Sequence, residues 1–76
     1  MNEFVDIGAG GFIALGRTVA VVAPDSAPVK RAVAEAKEKG RAVDASGGKK
    51  TLSVIFTDSD LVILSSYPPD RITGRQ

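Results

Sequence analysis

Two runs in this chain, Val19 to Ala23 and Leu61 to Leu64, read as strands that are apolar on both faces. This constrains the fold more than any other feature. A strand with one face in water alternates apolar and polar residues, because successive side chains point to opposite sides. These two do not alternate, so both of their faces need cover. The chain offers one clear helical segment, about 27–39, and one helix of about three turns covers one side of a small sheet. The other side must be covered by a second layer of strands or by a neighbouring subunit. At 76 residues, six short strands are too few for two good layers, so the expectation is a homo-oligomer.

The remaining segments fit the same small α+β domain. Glu3 to Ile7 reads as a short strand, followed by a glycine turn at Gly8, Gly10 and Gly11 and a second strand from Phe12 to Leu15. A break at Gly16-Arg17 precedes the strand from Thr18 to Ala23. Asp25 or Ser26 can cap the helix, Pro28 suits its first turn, and Gly40 suits its end. Val29, Ala32, Val33 and Ala36 form its apolar stripe. Val43 falls in a short strand, and Leu52 to Thr57 and Leu61 to Ser65 form a hairpin turned by Asp58, Ser59 and Asp60. The order is three strands, a helix and three more strands, with largely antiparallel pairing. One domain spans 1–67, and 68–76, with two prolines, is expected to be a flexible tail.

Composition narrows the chemistry. Histidine and cysteine are both absent. The commonest general base and metal ligand is therefore missing, as are thiol chemistry and disulfides. The expectation is a protein that is not an enzyme and takes no metal, cofactor or small-molecule substrate. Ten Lys and Arg against nine Asp and Glu leave a net charge of +1. Cations that act on a partner must therefore be concentrated by position or by assembly. No run approaches the ~20 apolar residues that span a bilayer, and the acidic Glu3 and Asp6 do not suit a secretory signal. A cytoplasmic protein without membrane contact is expected.

The sharpest candidate for a binding site is the turn Gly47-Gly48-Lys49-Lys50, which leads into the Leu52–Ser65 hairpin. Two adjacent cations at the tip of a rigid hairpin suit a phosphate, although lysines also serve at loop tips for solubility. Arg17 alone reads equally well as a surface residue of an edge strand. Lys30 and Arg31 stand at the helix start, where cations oppose the dipole, which makes them secondary candidates for a contact with a partner, although a solvated face is the plainer reading. The glycines from Gly8 to Gly11 are not a phosphate-binding P-loop, because no Lys-Ser/Thr pair follows and the next segment is a strand. Asp58-Ser59-Asp60 lacks the further oxygen ligands of a calcium loop and reads as a turn.

Taken together, these residues resemble the RemA family, the bacterial extracellular-matrix regulatory proteins. The likeness runs from about Ile7 to Ser65. It rests on Ile7-Gly8-x-Gly10, on Arg17, on the run Pro24-Asp25-Ser26-Ala27-Pro28-Val29-Lys30-Arg31, on Asp44-Ala45-Ser46 with its glycines and basic pair, and on Asp58-Ser59-Asp60-x-Val62-Ile63-Leu64-Ser65. The resemblance implies a DNA-binding regulator of matrix (biofilm) genes with a small α+β fold similar to the LytTR type. It also implies assembly into a closed ring with a basic rim that bends or wraps promoter DNA. The implied partners are double-stranded DNA and other copies of the chain. The family's DNA contacts fall on Arg17, Lys49 and Lys50. The family's turn pair is expected to be Arg-Arg, and here it is Lys-Lys. Lysine meets a phosphate as a point charge, whereas arginine can fork across guanine. Gly11 also stands where the family is expected to carry a polar residue. The alternative is a structural or protein-interaction module that self-assembles without nucleic acid.

Overall fold

A computed structural model of the chain describes residues 4–8 and 11–73. Strands β1 (Phe4–Gly8) and β2 (Gly11–Ala14) form a hairpin. A 3-10 turn, Leu15–Arg17, leads into β3 (Thr18–Val22). Helix α1 (Ala27–Glu38) follows, then β4 (Ala42–Ala45), β5 (Ser53–Thr57) and β6 (Val62–Ser65), and last a short helix α2 (Pro69–Thr73). The strands after the hairpin form one sheet in the order β3-β5-β6-β4. β3–β5 and β5–β6 pair antiparallel, while β4 lies parallel to β6. This is the expected small α+β fold, with mostly antiparallel pairing.

Local signals place α1. The Ser26 hydroxyl accepts the Val29 N–H at 3.3 Å, Pro28 sits in the first turn, and Gly40 takes φ 69 just past the Lys39 cap. Val29, Val33 and Ala36 turn inwards and pack on Val54, Val62 and Leu64, which line one face of the sheet.

The other face is covered within the same chain. Ile55 and Ile63 pack there against Ile7 and Ile13 of the hairpin and against Ile72 of α2. The expectation that six strands could not build two layers is therefore corrected. The hairpin folds back over the sheet and α2 closes the gap, so β6 is buried along its whole length by its own chain. A buried Ser65 fixes the hairpin in place, since its hydroxyl donates to the Ile7 carbonyl at 2.6 Å and accepts the Tyr67 N–H at 3.1 Å.

The segment expected to be a flexible tail instead begins with a helix. Pro69 opens it, where a missing N–H costs nothing, and Asp70 favours the positive end of the helix dipole. Ile72 is 1% exposed. Arg71 stacks on the Tyr67 ring, 3.9 Å from its centroid. Residues 74–76 lie outside the described residues. Among the described residues, no helix is long and apolar enough to cross a membrane.

Candidate nucleic-acid interface

The glycine turn is built from its first residue upward. Asp44, at the end of β4, accepts the Ser46 N–H at 2.9 Å and the Ser46 hydroxyl at 2.6 Å. These two donors hold the Asp44 carboxyl below its usual pKa, with a smaller contribution from the positive charge of Lys37. Gly47 and Gly48 then take φ 66 and 83, a left-handed region that costs side-chain-bearing residues energy. The Lys49 N–H donates to the Ser46 carbonyl at 3.2 Å and closes the turn. On the far side, the Leu52 N–H donates to the Ser65 carbonyl at 2.8 Å. The tip is thus tied down at both ends while Lys49 and Lys50 stand exposed in solvent.

Arg17 is presented differently. Its Nε donates to Asp58 Oδ1 at 3.0 Å, and its carbonyl accepts the Asp58 N–H at 3.0 Å. This uses one of the five N–H donors of the guanidinium and gives the side chain a direction. The pair is exposed, so it orients the arginine more than it stabilises the fold.

The structure does not bring Arg17 and the lysines together within one subunit. Thr18, next to Arg17, pairs with Thr57 at one end of β5, while Lys50 precedes Ser53 at the other end. A five-residue strand spans roughly 17 Å at ~3.3 Å per residue, so the two cationic points lie on the order of 20 Å apart.

The two ends of the sheet also differ in charge. At the Arg17 end, the hairpin turn supplies carboxylates: Asp58 pairs with Arg17, and Asp60 lies 3.6 Å from Arg41. At the other end, no carboxylate comes within 4.0 Å of Lys30, Lys37, Lys49 or Lys50 among the described residues. Lys30 sits there, lining a groove with Lys37, Val33, Val54, Leu64 and Thr51, whereas Arg31 is a solvated residue of α1. Lys37 joins this cationic cluster although no motif marks it. The signal that could have found it is spacing, because seven residues from Lys30 is two turns of the same helix face.

At Gly8 the reading of a hairpin rather than a phosphate loop holds. Gly8 pairs with Gly11 and takes φ 96, and a Cβ there would come 3.1 Å from the Ser66 hydroxyl. Residues 9 and 10 lie outside the described residues.

Fold and site together define a small α+β domain with a solvent-facing cationic turn and without the histidine and cysteine of common catalytic sites. A family model described as "RemA-like: Extracellular matrix regulatory protein A-like" matches residues 4–75. A protein of Geobacillus thermodenitrificans named "Putative regulatory protein" is 48% identical over 75 residues, covering 99% of this chain and 86% of its own length. One from Synechococcus sp. (strain JA-2-3B'a(2-13)) is 46% identical over 74 residues, covering 97% and 83%. One from Halothermothrix orenii is 48% identical over 73 residues, covering 96% and 87%. The chain belongs to the RemA-like family.

Proposed function

We propose that this chain is a DNA-binding transcriptional regulator that acts as a homo-oligomeric ring. Its cationic rim, carrying Arg17, Lys49 and Lys50, binds promoter DNA of matrix genes and bends or wraps it. It works in the cytoplasm, by binding rather than by catalysis. The observation that carries this reading is the turn at Lys49 and Lys50, anchored by Asp44 and Leu52, with its charges left without a carboxylate partner among the described residues. Cations carried on an anchored turn, with no carboxylate partner among the described residues, are available to phosphates.

One copy offers a few weak contacts, and its two cationic points are separated by the length of β5. A ring repeats them, so that each further contact gains from high effective concentration. This is how a chain of net charge +1 can hold DNA. Lysine contacts to phosphate carry no sequence information, so selectivity rests on Arg17 and on the deformability of the duplex.

The test is an electrophoretic shift with promoter and random duplexes across a salt series. Lys49→Ala with Lys50→Ala is expected to abolish the shift while thermal stability stays within about 0.5 kcal/mol of the parent, as for other exposed positions. Normal DNA binding by this variant sinks the assignment of the site. A parent protein that oligomerises but shifts no DNA favours the self-assembling module instead.

A further inference from the structure

We propose that the cavity beside the lysine turn binds a small phosphorylated metabolite, whose phosphate meets Lys49 and the Ser66 hydroxyl. The cavity has a volume of about 260 Å³ and is walled by three separate stretches of the chain. Gly8 comes from the end of β1, Ser46, Gly47 and Lys49 from the β4–β5 turn, and Ser66 and Tyr67 from the segment between β6 and α2. Buried hydroxyls tie these stretches together. That of Ser65 joins Ile7 to Tyr67, and that of Ser53 donates to the Tyr67 carbonyl. The walls therefore stand before anything binds, as in most ligand sites.

The donors around the cavity differ from their neighbours in having no partner. Ser46, Ser53 and Ser65 are buried, and each commits its hydroxyl to another group of the protein. Ser66 is half-buried and lines the cavity, and its hydroxyl has no hydrogen-bond partner among the described residues. Lys49 has no carboxylate within 4.0 Å among the described residues. Gly47 lies beside it, and the Gly47 N–H has no hydrogen-bond partner among them either. The Asp44 carboxylate, close in sequence, is met by the N–H and the hydroxyl of Ser46. Gly8 keeps the opposite wall open. It takes φ 96, and a Cβ there would come within 3.1 Å of the Ser66 Oγ and 3.6 Å of the Tyr67 ring.

This lining selects the ligand. A cation, a hydroxyl and a backbone N–H suit an acceptor whose oxygens point in several directions, as those of a phosphate do. A phosphate takes on the order of 60–90 Å³, two to three waters at ~30 Å³ each. Most of the cavity is left for the group that carries it. Tyr67 offers that group the edge of its ring, because Arg71 stacks over one face at 3.9 Å from the centroid. The volume falls below the ~300–1,000 Å³ of drug-sized pockets, which suits a carbon skeleton no larger than a sugar. Lys49 serves both this cavity and the proposed DNA contact, so the metabolite and DNA compete. That consequence rests on the DNA-binding reading above, whereas the cavity itself does not.

Tyr67 is the chain's one tyrosine and tryptophan is absent, so intrinsic fluorescence reports on the cavity wall. The full chain is titrated with ribose 5-phosphate, inorganic phosphate and ribose, none of which absorbs where tyrosine does. A saturable change is expected with ribose 5-phosphate, with roughly tenfold weaker affinity for inorganic phosphate and no response to ribose. Ser66→Ala should weaken ribose 5-phosphate about tenfold, as for one hydrogen bond to a charged group. Its thermal melt should match the parent, because the hydroxyl has no partner to lose. Lys49→Ala should abolish the response. The proposal is overturned by a parent that shows no saturable change, by inorganic phosphate that binds as tightly as ribose 5-phosphate, or by a Ser66→Ala variant that binds like the parent. A parent that binds ribose 5-phosphate but shifts no DNA leaves the cavity standing and removes the DNA-binding reading.

Discussion

Arg17 and the two lysines are cations held in different ways, and the difference predicts how each acts on a duplex. Arg17 is aimed by Asp58, whereas Lys49 and Lys50 are free to follow a phosphate. Restoring arginine at Lys49 and Lys50 adds forked donors without adding charge. Tighter binding is therefore expected, greater for guanine-bearing sites or a narrow minor groove, with the salt slope unchanged. Affinities for a promoter and a scrambled duplex at several salt concentrations check this, and a changed slope contradicts it. Asp44 gives a second prediction at this scale. Its folded-state pKa is lowered, so its support of the turn is complete above the ordinary carboxylate range and is lost as pH falls through the lowered value. Carboxyl-carbon NMR should show Asp44 titrating below an ordinary aspartate. In a Ser46→Ala variant, which loses the hydroxyl donor, the midpoint should move back up.

At the scale of the element, the β4–β5 connection is a turn whose geometry comes from its backbone and not from packing around it. A Cβ on Gly48 would meet nothing within 4 Å, yet its φ of 83 is unfavourable for any residue with a side chain. Gly48→Ala should accordingly cost roughly 1–2 kcal/mol from backbone strain alone. Thermal melts measure the cost, and a variant as stable as the parent would show that the turn relaxes freely. The caps of α1 belong to the same scale. Ser26, Pro28 and Gly40 act within a few residues of themselves, and for that reason the helix limits were readable to within one residue of Ala27–Glu38.

For the whole molecule, the decisive arrangement is the two-sided cover of β5 and β6. One side takes α1, and the other takes the hairpin with α2. Ile72 joins α2 to this core, so Ile72→Ala should destabilise the domain by about 2–5 kcal/mol. That is a large share of the roughly 5–15 kcal/mol typical of a folded domain. Chemical denaturation checks it, and a loss below about 0.5 kcal/mol would mean that the end of the chain packs on nothing. The cover within one chain also removes the original reason for expecting assembly, since the apolar run of β6 needs no neighbour. The reason that remains is different: Phe4 and Phe12 are exposed on the hairpin, and Val19 on the edge strand β3 is 70% exposed.

The amino-acid sequence by itself determined the six strands, helix α1, the turns and the identity of the cations. Alternation, caps and left-handed glycines act over a few residues, and the basic turn is a contiguous tetrapeptide. Only the tertiary structure decided which surfaces meet. A lone Ile72 after two prolines has no periodicity to announce a helix, and its place follows from the gap that the hairpin leaves over the sheet. The separation of Arg17 from Lys49 and Lys50 follows from the antiparallel pairing of β3 with β5, which sends the two sites to opposite ends of one strand. Strand order and layer are set by contacts between residues far apart in the chain, such as Ser65 with Ile7, and no local pattern carries that information.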